Sequence, residues 1–256
     1  MAATLPATMP GSIRLHVAAS LRPGEAIAAS PQQAHYLGSV MRRGPGDVVH
    51  LFNGRDGEFA ARIEMVRRDR AYLRVDQQLR PQAPEPDLWL VFALLKRDAT
   101  DLVVQKATEL GVAALLPVIT ERSNTHRVNE ARLRTIAIEA AEQSERLTVP
   151  CLHPPQSLDA LLSDWPPDRR LFVAIERSTA APLSTPSYGS AALLVGPEGG
   201  FAPAELDAMR VRPFVTPVSL GPRILRAETA CIAGLALLQA PALLQAPALL
   251  QGVECR

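Results

Sequence analysis

The sequence predicts an α/β protein in which a small, mostly β barrel precedes a larger, mostly parallel α/β domain. Short strand-like runs occupy the front of the chain, whereas strand-like and helix-like segments alternate from Leu88 onward. Between these parts, Pro81, Pro84 and Pro86 interrupt a polar stretch, which marks the domain boundary. The chain has 256 residues, 47% hydrophobic and 21% charged, as expected for a globular protein of one large or two ordinary domains.

The front part begins with a helix and continues with strands. Ser30 occupies an N-cap position, Pro31 follows it, and Gln33 completes a capping box, so a helix begins here and is expected to end near Gly44. The apolar positions predicted for its inner face are Ala34, Leu37 and Met41. Three β-like runs follow, at residues 47–52, 58–66 and 71–75. One helix with several short strands predicts a small barrel.

The rear part alternates buried strands with helices. The predicted strands are the apolar runs at residues 88–95, 113–119, 171–175, 191–195 and 215–220. Helices are predicted at residues 98–110, before Gly111, and from the cap Asn129 to about residue 146. Because ligands of parallel sheets bind outside the carboxyl ends of the strands, the residues just after each strand are the functional candidates.

Charge is distributed unevenly along the chain although the net charge is only +1. Residues 1–80 hold eleven arginines against seven acidic residues, and residues 81–256 hold sixteen basic against nineteen acidic residues. A basic front part is typical of an anion-binding module, and the alternative is a solvated arginine-rich surface.

Neither the cysteines nor the apolar segments indicate an extracellular or membrane protein. The three cysteines, Cys151, Cys231 and Cys255, are too scattered for a disulfide framework or a zinc site. Pro241 and Pro247 interrupt the longest uncharged apolar stretch. We therefore expect a cytoplasmic protein that has neither a membrane span nor a metal site.

Two glycine-containing loops directly follow predicted strands. The first is residues 196–201 and the second begins at Gly221. Glycine lets the backbone approach a ligand closely, so the two loops together predict a ligand site; the alternative is a pair of ordinary turns. The phosphate-binding patterns of dinucleotide and nucleoside triphosphate sites are absent, which argues against those ligands.

The amino-acid sequence of these loops closely resembles the signature of the SPOUT-class methyltransferases, specifically the ribosomal RNA small-subunit methyltransferase E family. The segments that carry the resemblance are LLVGPEGGF (193–201), SLGPRILRAETA (219–230), HYLGSVMR (35–42), KRDATDLVVQKATELGV (96–112), TERS (120–123) and AAEQSERLTVP (140–150). They occur in order from about residue 14 to residue 238, and the two carboxyl-terminal motifs are specific.

The resemblance implies a fold and a reaction. It implies a PUA-like RNA-binding β barrel at residues 12–80 and a SPOUT domain with a carboxyl-terminal trefoil knot at residues 87–240, which leaves a tail at residues 241–256. It also implies a homodimer that binds S-adenosylmethionine (SAM) without metal and methylates N3 of a uridine in small-subunit (16S) ribosomal RNA. The substrate is either free RNA or the assembled small subunit.

The resemblance also assigns site residues. SAM is expected to lie, mostly through backbone contacts, against Leu194, Gly196, Glu198, Gly199, Leu220, Gly221, Ile224 and Leu225. Arg226 is the candidate catalytic residue, because a guanidinium can orient a uracil carbonyl and favour the N3 anion although it cannot serve as the base. Glu198 is chemically able to act as the base or to hold its own loop together. Cys231 is expected to be a buried helix residue rather than a nucleophile.

The candidate RNA contacts are basic or polar residues in both parts of the chain: Arg14, Arg42, Arg43, Lys96, Arg122, Ser123 and Arg146. For each, the alternative is a solvated or ion-paired side chain. His35 is a further candidate, although a packed helix residue is the preferred interpretation. A non-catalytic RNA-binding factor and a nucleotide-dependent enzyme are the competing functions; intact loops favour the enzyme.

The carboxyl terminus departs from the family pattern. Residues 237–242 and 243–248 repeat the sequence Leu-Leu-Gln-Ala-Pro-Ala. Because each proline costs roughly 3 kcal/mol in a helix interior, the helix that begins near Glu228 is expected to stop or kink near Gln239. This helix is predicted to lie at or near the dimer interface, and the repeat is predicted to extend from it as a partly packed, kinked appendage.

Overall fold

The computed structural model describes residues 12–123, 125–176, 180–183 and 190–240. The chain divides into two units. The front unit contains the described residues up to Pro84 together with Ile138–Val149, and the rear unit contains the described residues of Glu85–Ala137 and those from Pro150 on. The division at Pro84 lies within the proline-containing stretch of residues 81–86, and a segment from the middle of the chain also belongs to the front unit.

The front unit is built on a five-stranded sheet with strand order β1-β3-β4-β5-β2. The strands are β1 (Arg14–His16), β2 (Ala26–Ala29), β3 (Val48–Phe52), β4 (Glu58–Val66) and β5 (Ala71–Arg80). The pair β1 and β3 is parallel, and the other pairs are antiparallel. Its core includes Leu15, Leu37, Leu51, Ile63 and Leu73, all nearly inaccessible to solvent.

The predicted capping box opens the front helix α1 (Pro31–His35). The Ser30 hydroxyl accepts a hydrogen bond from the Gln33 amide, and the Gln33 side chain accepts one from the Ser30 amide. The expected continuation as an α-helix to Gly44 is wrong, because Tyr36–Val40 is a π-helical turn in which the Met41 amide donates to the Tyr36 carbonyl. The wider turn rotates Met41 out of the predicted inner face and leaves it exposed.

Arg14 explains why Ile138–Val149 joins the front unit. Its guanidinium donates to the carbonyl oxygens of Ala141 at 3.0 Å, Glu142 at 2.9 Å and Arg146 at 2.7 Å. The carbonyls at a helix carboxyl end lack partners within the helix, so a buried cation stabilises them. The same guanidinium pairs with Glu58 at 2.5 Å, and both side chains are almost fully buried.

The rear unit is an α/β unit whose described strand pairings are all parallel. The strand order is β12-β10-β11-β6-β7-β8, and β9 also pairs with β7. The strands are β6 (Leu88–Ala93), β7 (Ala114–Ile119), β8 (Cys151–Leu152), β9 (Gln156–Ser157), β10 (Arg170–Ala174), β11 (Ala191–Val195) and β12 (Val215–Val218). The prediction of a mostly parallel α/β sheet is confirmed.

Helices connect several of these strands, and a last helix follows β12. They are α2 (Arg97–Glu109), α3 (Glu130–Gln143), α4 (Leu158–Ser163), α5 (Pro203–Arg210) and α6 (Ala227–Leu238). Gly111, at φ +81°, follows the end of α2, and the Asn129 side chain accepts from the Arg132 amide at the start of α3, as predicted. Helix α6 ends at Leu238 with Gln239 as its cap, whereas the repeat from residue 241 on lies outside the described residues. Among the helices of the described residues, none has the length and apolarity to span a membrane.

Candidate active site

The two predicted glycine loops line one cavity of about 560 Å³ at the carboxyl edge of the parallel sheet. They meet there because their strands, β11 and β12, both pair with β10. The end of β10 contributes Ala174, Ile175 and Glu176 to the wall, and Arg122 reaches it from the loop after β7. Thus loops far apart in the sequence converge on a single cleft, as the parallel topology predicts.

The loop after β11 presents its backbone to the cavity through a tight turn. The Gly200 amide donates to the Pro197 carbonyl at 2.8 Å, and Gly200 has φ +67°. A Cβ on Gly196 would meet the Phe201 ring at 3.0 Å, which is closer than side-chain atoms normally approach. Gly196 therefore leaves room for both the ring and the cavity.

The loop after β12 forms the opposite wall. Gly221 has φ +109°, a conformation that side chains rarely adopt, and its amide donates to the Ser219 hydroxyl at 3.2 Å. Ile224 lines the cavity and is 57% exposed, which is unusual for a large apolar side chain. An apolar wall beside the exposed backbone of Gly221 suits a ligand that has both an apolar and a polar face.

Glu205 holds the neighbouring loops together, a role that its sequence context does not predict. One carboxylate oxygen accepts from the Ala202 amide at 2.8 Å, and the other accepts from the Glu121 amide at 2.9 Å. The adjacent Arg122 guanidinium donates to the Gly199 carbonyl at 2.9 Å. The loop after β7 is thereby fixed to the first glycine loop. Pro203 followed by Glu205 is a recognisable helix start, but nothing in the sequence indicates the contact with Glu121.

Family models match most of the chain. The RNA methyltransferase domain matches residues 82–239, and the RNA methyltransferase PUA domain matches residues 30–76. A ribosomal RNA small subunit methyltransferase E from Rickettsia conorii is 35% identical over 214 residues, which cover 81% of this chain and 86% of the relative. The chain belongs to the ribosomal RNA small subunit methyltransferase E family. The same enzyme from Bacillus subtilis is 31% identical and covers 81% of this chain and 87% of its own length.

Solved structures of similar proteins share the fold of this family member. A putative methyltransferase from Legionella pneumophila, in complex with the bound cofactor SAM, is 33% identical with a TM-score of 0.80. The ribosomal RNA small subunit methyltransferase E from Neisseria gonorrhoeae, bound to S-adenosyl methionine, is 30% identical with a TM-score of 0.82. Each covers 90% of this chain and 98% of its own chain.

Most of the residues predicted to contact the cofactor line the cavity of this family member. They are Gly196, Glu198, Gly199, Leu220, Gly221, Ile224 and Leu225. Leu194 differs, because its side chain is fully buried in the sheet core and does not line the cavity. Successive side chains of a strand point to opposite faces of the sheet. When every residue of a strand is apolar, as in β11, the sequence does not show which side chains lie in the core and which line a cavity at the end of the strand.

The two residues considered for chemistry after β12 lie in different surroundings. Arg226 is exposed at the N-cap of α6, between the cavity-lining residues Leu225 and Ala227. Cys231 is fully buried one turn further along, and burial raises the pKa of its thiol. A buried, protonated thiol is a poor nucleophile, as expected for a packed helix residue.

The candidate RNA contacts separate into inward-facing and outward-facing side chains. Arg14, Ser123 and Arg146 are buried. The Ser123 hydroxyl contacts the Thr120 hydroxyl at 2.9 Å, and Arg146 donates to Thr148 at 3.1 Å. In the structure these three stabilise the protein itself, which corrects the expectation that they face RNA. The exposed candidates are His35, Arg42, Arg43, Lys96 and Arg122.

Proposed function

We propose that this chain is a SAM-dependent methyltransferase that modifies N3 of a uridine in small-subunit ribosomal RNA. The observation that carries the proposal is the single cavity built from the two glycine loops of residues 196–201 and 219–225. The family membership and the SAM bound in the two similar structures support it.

The cavity fits SAM by its shape and its backbone. Gly196 and Gly221 leave backbone surface free where a side chain would intrude or could not adopt the required φ. Ile224 provides an apolar wall, and a volume of about 560 Å³ lies within the range of small-molecule sites, about 300–1,000 Å³. When bound, SAM supplies an electrophilic methyl group; the protein supplies position and charge.

Arg226 is proposed to act on the uracil. Its guanidinium can donate to a uracil carbonyl oxygen and stabilise the negative charge that develops as N3 loses its proton. An arginine remains protonated and cannot accept that proton.

Two carboxylates line the cavity, Glu176 and Glu198, and separate glutamine substitutions identify which of them accepts the N3 proton. The variant that loses rate without losing SAM affinity marks the base.

The wider architecture implied by the family is part of the proposal. We propose a PUA-like barrel in the front unit that contacts RNA through the exposed Arg42 and Arg43, with Lys96 and Arg122 contributing from the rear unit. The proposal includes a knotted SPOUT domain and a cytoplasmic homodimer. Sedimentation analysis tests the dimer; a monomer at working concentrations that still transfers methyl groups contradicts it.

The test of the reaction is transfer of a tritiated methyl group from SAM to small-subunit ribosomal RNA and to assembled subunits, followed by mapping of the labelled nucleoside. Arg226→Ala should lower the rate on the order of a hundredfold, as when a donor to a developing oxyanion is lost, with SAM affinity unchanged. Arg212→Ala, before β12 at the opposite edge of the sheet, is the control. Label at another atom contradicts the N3 assignment, and equal losses of rate and affinity contradict the role of Arg226.

A further inference from the structure

A second cavity opens at the same edge of the parallel sheet, beyond the ends of β6 and β7. Its volume is about 360 Å³, and it shares no lining residue with the first cavity. Three arginines line it: Arg97 at the start of α2, Arg127 in the loop before α3, and Arg132 in the first turn of α3. None of these arginines belongs to the cofactor site.

The arginines leave this cavity with an excess of positive charge. The Arg132 guanidinium contacts the Asp101 carboxylate, whose side chain is 17% exposed. Asp101 is the one acidic residue among the lining residues. Asp98, three residues earlier in α2, does not line the cavity. Arg97 and Arg127 are exposed, and neither forms an ion pair within the part of the chain that the structure describes. Three guanidinium groups thus face one carboxylate.

The backbone adds to this charge. The amino ends of α2 and α3 both border the cavity, through Arg97, Thr100 and Asp101 on α2 and through the cap Asn129 with Arg132 and Leu133 on α3. The amides of Thr100, Leu133 and Arg132 already donate, to the Lys96 carbonyl, the Asn129 carbonyl and the Asn129 side chain, so the backbone contributes through the positive amino ends of the two helix dipoles. Arg132 is fixed in this position, since Asp101 holds its side chain and the Asn129 side chain accepts from its amide at 3.1 Å. The positioned guanidinium of Arg132, beside the exposed guanidinium groups of Arg97 and Arg127, suits an oxyanion such as phosphate.

We propose that this second cavity binds a backbone phosphate of the RNA substrate; the inference rests on the proposed function. The loop after β7 connects the two sites, because Arg122 lines the first cavity and Arg127 lines the second. Because Arg122 and Arg127 are five residues apart, their Cα atoms are at most about 17 Å apart, which a short segment of one RNA strand can span. A strand that places its uracil in the first cavity then brings a neighbouring phosphate to the second.

The experiment measures the binding of labelled small-subunit ribosomal RNA to the full chain over a range of salt concentrations. Arg97→Ala and Arg127→Ala should each lower affinity on the order of tenfold at low salt and flatten the slope of log K against log salt by about 0.7 to 1. Arg127→Lys keeps the charge and should preserve the slope while losing part of the affinity. SAM binding, measured by calorimetry, should stay unchanged in all variants.

Arg212→Ala is the matched control, because it removes one positive charge at the opposite edge of the sheet. RNA affinities for Arg97→Ala and Arg127→Ala that stay within twofold of this control overturn the phosphate site, even if the wild type methylates RNA normally. Loss of inorganic phosphate binding without any change in RNA binding also overturns it, since the site then takes a free anion. A wild type that binds RNA and shows the expected losses, but transfers no methyl group, contradicts the proposed function and leaves the phosphate site supported.

Discussion

The two edges of the parallel sheet differ in how their arginines are placed. At the amino edge, Asp87 before β6 and Arg169 before β10 form an ion pair at 2.6 Å, and the Ser190 hydroxyl donates to the same carboxylate oxygen at 2.6 Å. The Arg169 guanidinium also lies 3.6 Å from the centre of the Trp89 ring. At the carboxyl edge, arginines line two cavities and Arg97, Arg127 and Arg226 are exposed. Paired charge ties strands together at one edge, and exposed charge is available to a substrate at the other.

This difference follows from what each edge must do. Arg169 donates to the backbone carbonyls of Asp87 at 3.0 Å and Ala191 at 3.2 Å, so it links the starts of β6 and β11. The carboxyl edge instead ends in loops whose glycines keep backbone accessible. We therefore expect substitutions at the amino edge to change stability, and substitutions at the carboxyl edge to change binding.

The largest expected effect is the loss of SAM binding in Gly196→Val or Gly221→Val. Valine at residue 196 collides with the Phe201 ring, and at residue 221 it must adopt φ +109°. Calorimetric titration should detect no binding, or affinity lowered at least about a hundredfold. Gly44→Val is the control, because its Cβ would meet no atom within 4 Å. Unchanged binding in both cavity variants would remove the site assignment.

Arg169→Ala should give the next largest effect, a loss of about 3 kcal/mol in the free energy of unfolding, because it removes two hydrogen bonds from a buried guanidinium to backbone carbonyls, its contact with the Trp89 ring and a half-exposed ion pair. Urea unfolding measures it. The neighbouring Arg170→Ala, which removes one exposed contact to Thr216 at 3.2 Å, should cost less than about 0.5 kcal/mol. At temperatures where Arg169→Ala remains folded, its SAM affinity should equal that of the wild type. A stable variant with weakened SAM binding would show that the amino edge serves the site directly.

The parts of the fold that depend on local sequence were predictable. The capping box at Ser30, the end of α2 at Gly111 and the alternation of strands and helices each depend on residues close in the chain. The cavity itself was predictable because a glycine follows β11 directly and another follows β12 after two residues, and parallel strands bring their carboxyl ends to one edge.

The parts that depend on distant partners were not predictable. Arg14 was expected to face RNA, but its partners are Glu58, 44 residues away, and carbonyls at least 127 residues away. An excess of arginines in the front part does not show which of these arginines form an ion pair with a carboxylate. The second cavity was missed for the same reason, since Arg97 and Arg127 lie on either side of β7 and meet only in the folded sheet.

A smaller effect is expected at the junction between the loops of the carboxyl edge. Glu205→Ala removes the acceptor for the amides of Glu121 and Ala202, so the loop after β7 loosens from the first glycine loop. Each lost bond is worth about 1 kcal/mol, and we expect SAM affinity to fall roughly tenfold with little change in the rate at saturating SAM. Glu205→Gln retains one acceptor oxygen, so its SAM affinity should lie between those of the wild type and Glu205→Ala. Asp207→Ala, which removes an exposed pair with Arg210, should leave the affinity unchanged.

The smallest expected effect is a change in acid stability at the amino edge. Burial tends to raise the pKa of the Asp87 carboxyl, but hydrogen bonds from Arg169 and Ser190 outweigh it and lower the pKa below its usual value. A carboxyl with a lowered pKa in the folded state stabilises the protein above the pKa of the unfolded state, near 3.8. This stability disappears as the pH falls through the folded-state pKa, because the protonated acid no longer pairs with Arg169.

Asp87→Asn should therefore lose stability near pH 7 and approach the wild type as the pH falls below about 4. The Asp87 side chain is 49% exposed, so solvent screens the pair and its electrostatic share should stay below about 1 kcal/mol. Urea unfolding at a series of pH values measures the difference between the two proteins. A constant difference across the acid range would mean that the variant lost packing or hydrogen bonds rather than charge. The amino edge would then be stabilised by the Arg169 contacts to the Trp89 ring and the backbone carbonyls, with the carboxylate serving mainly to orient the guanidinium.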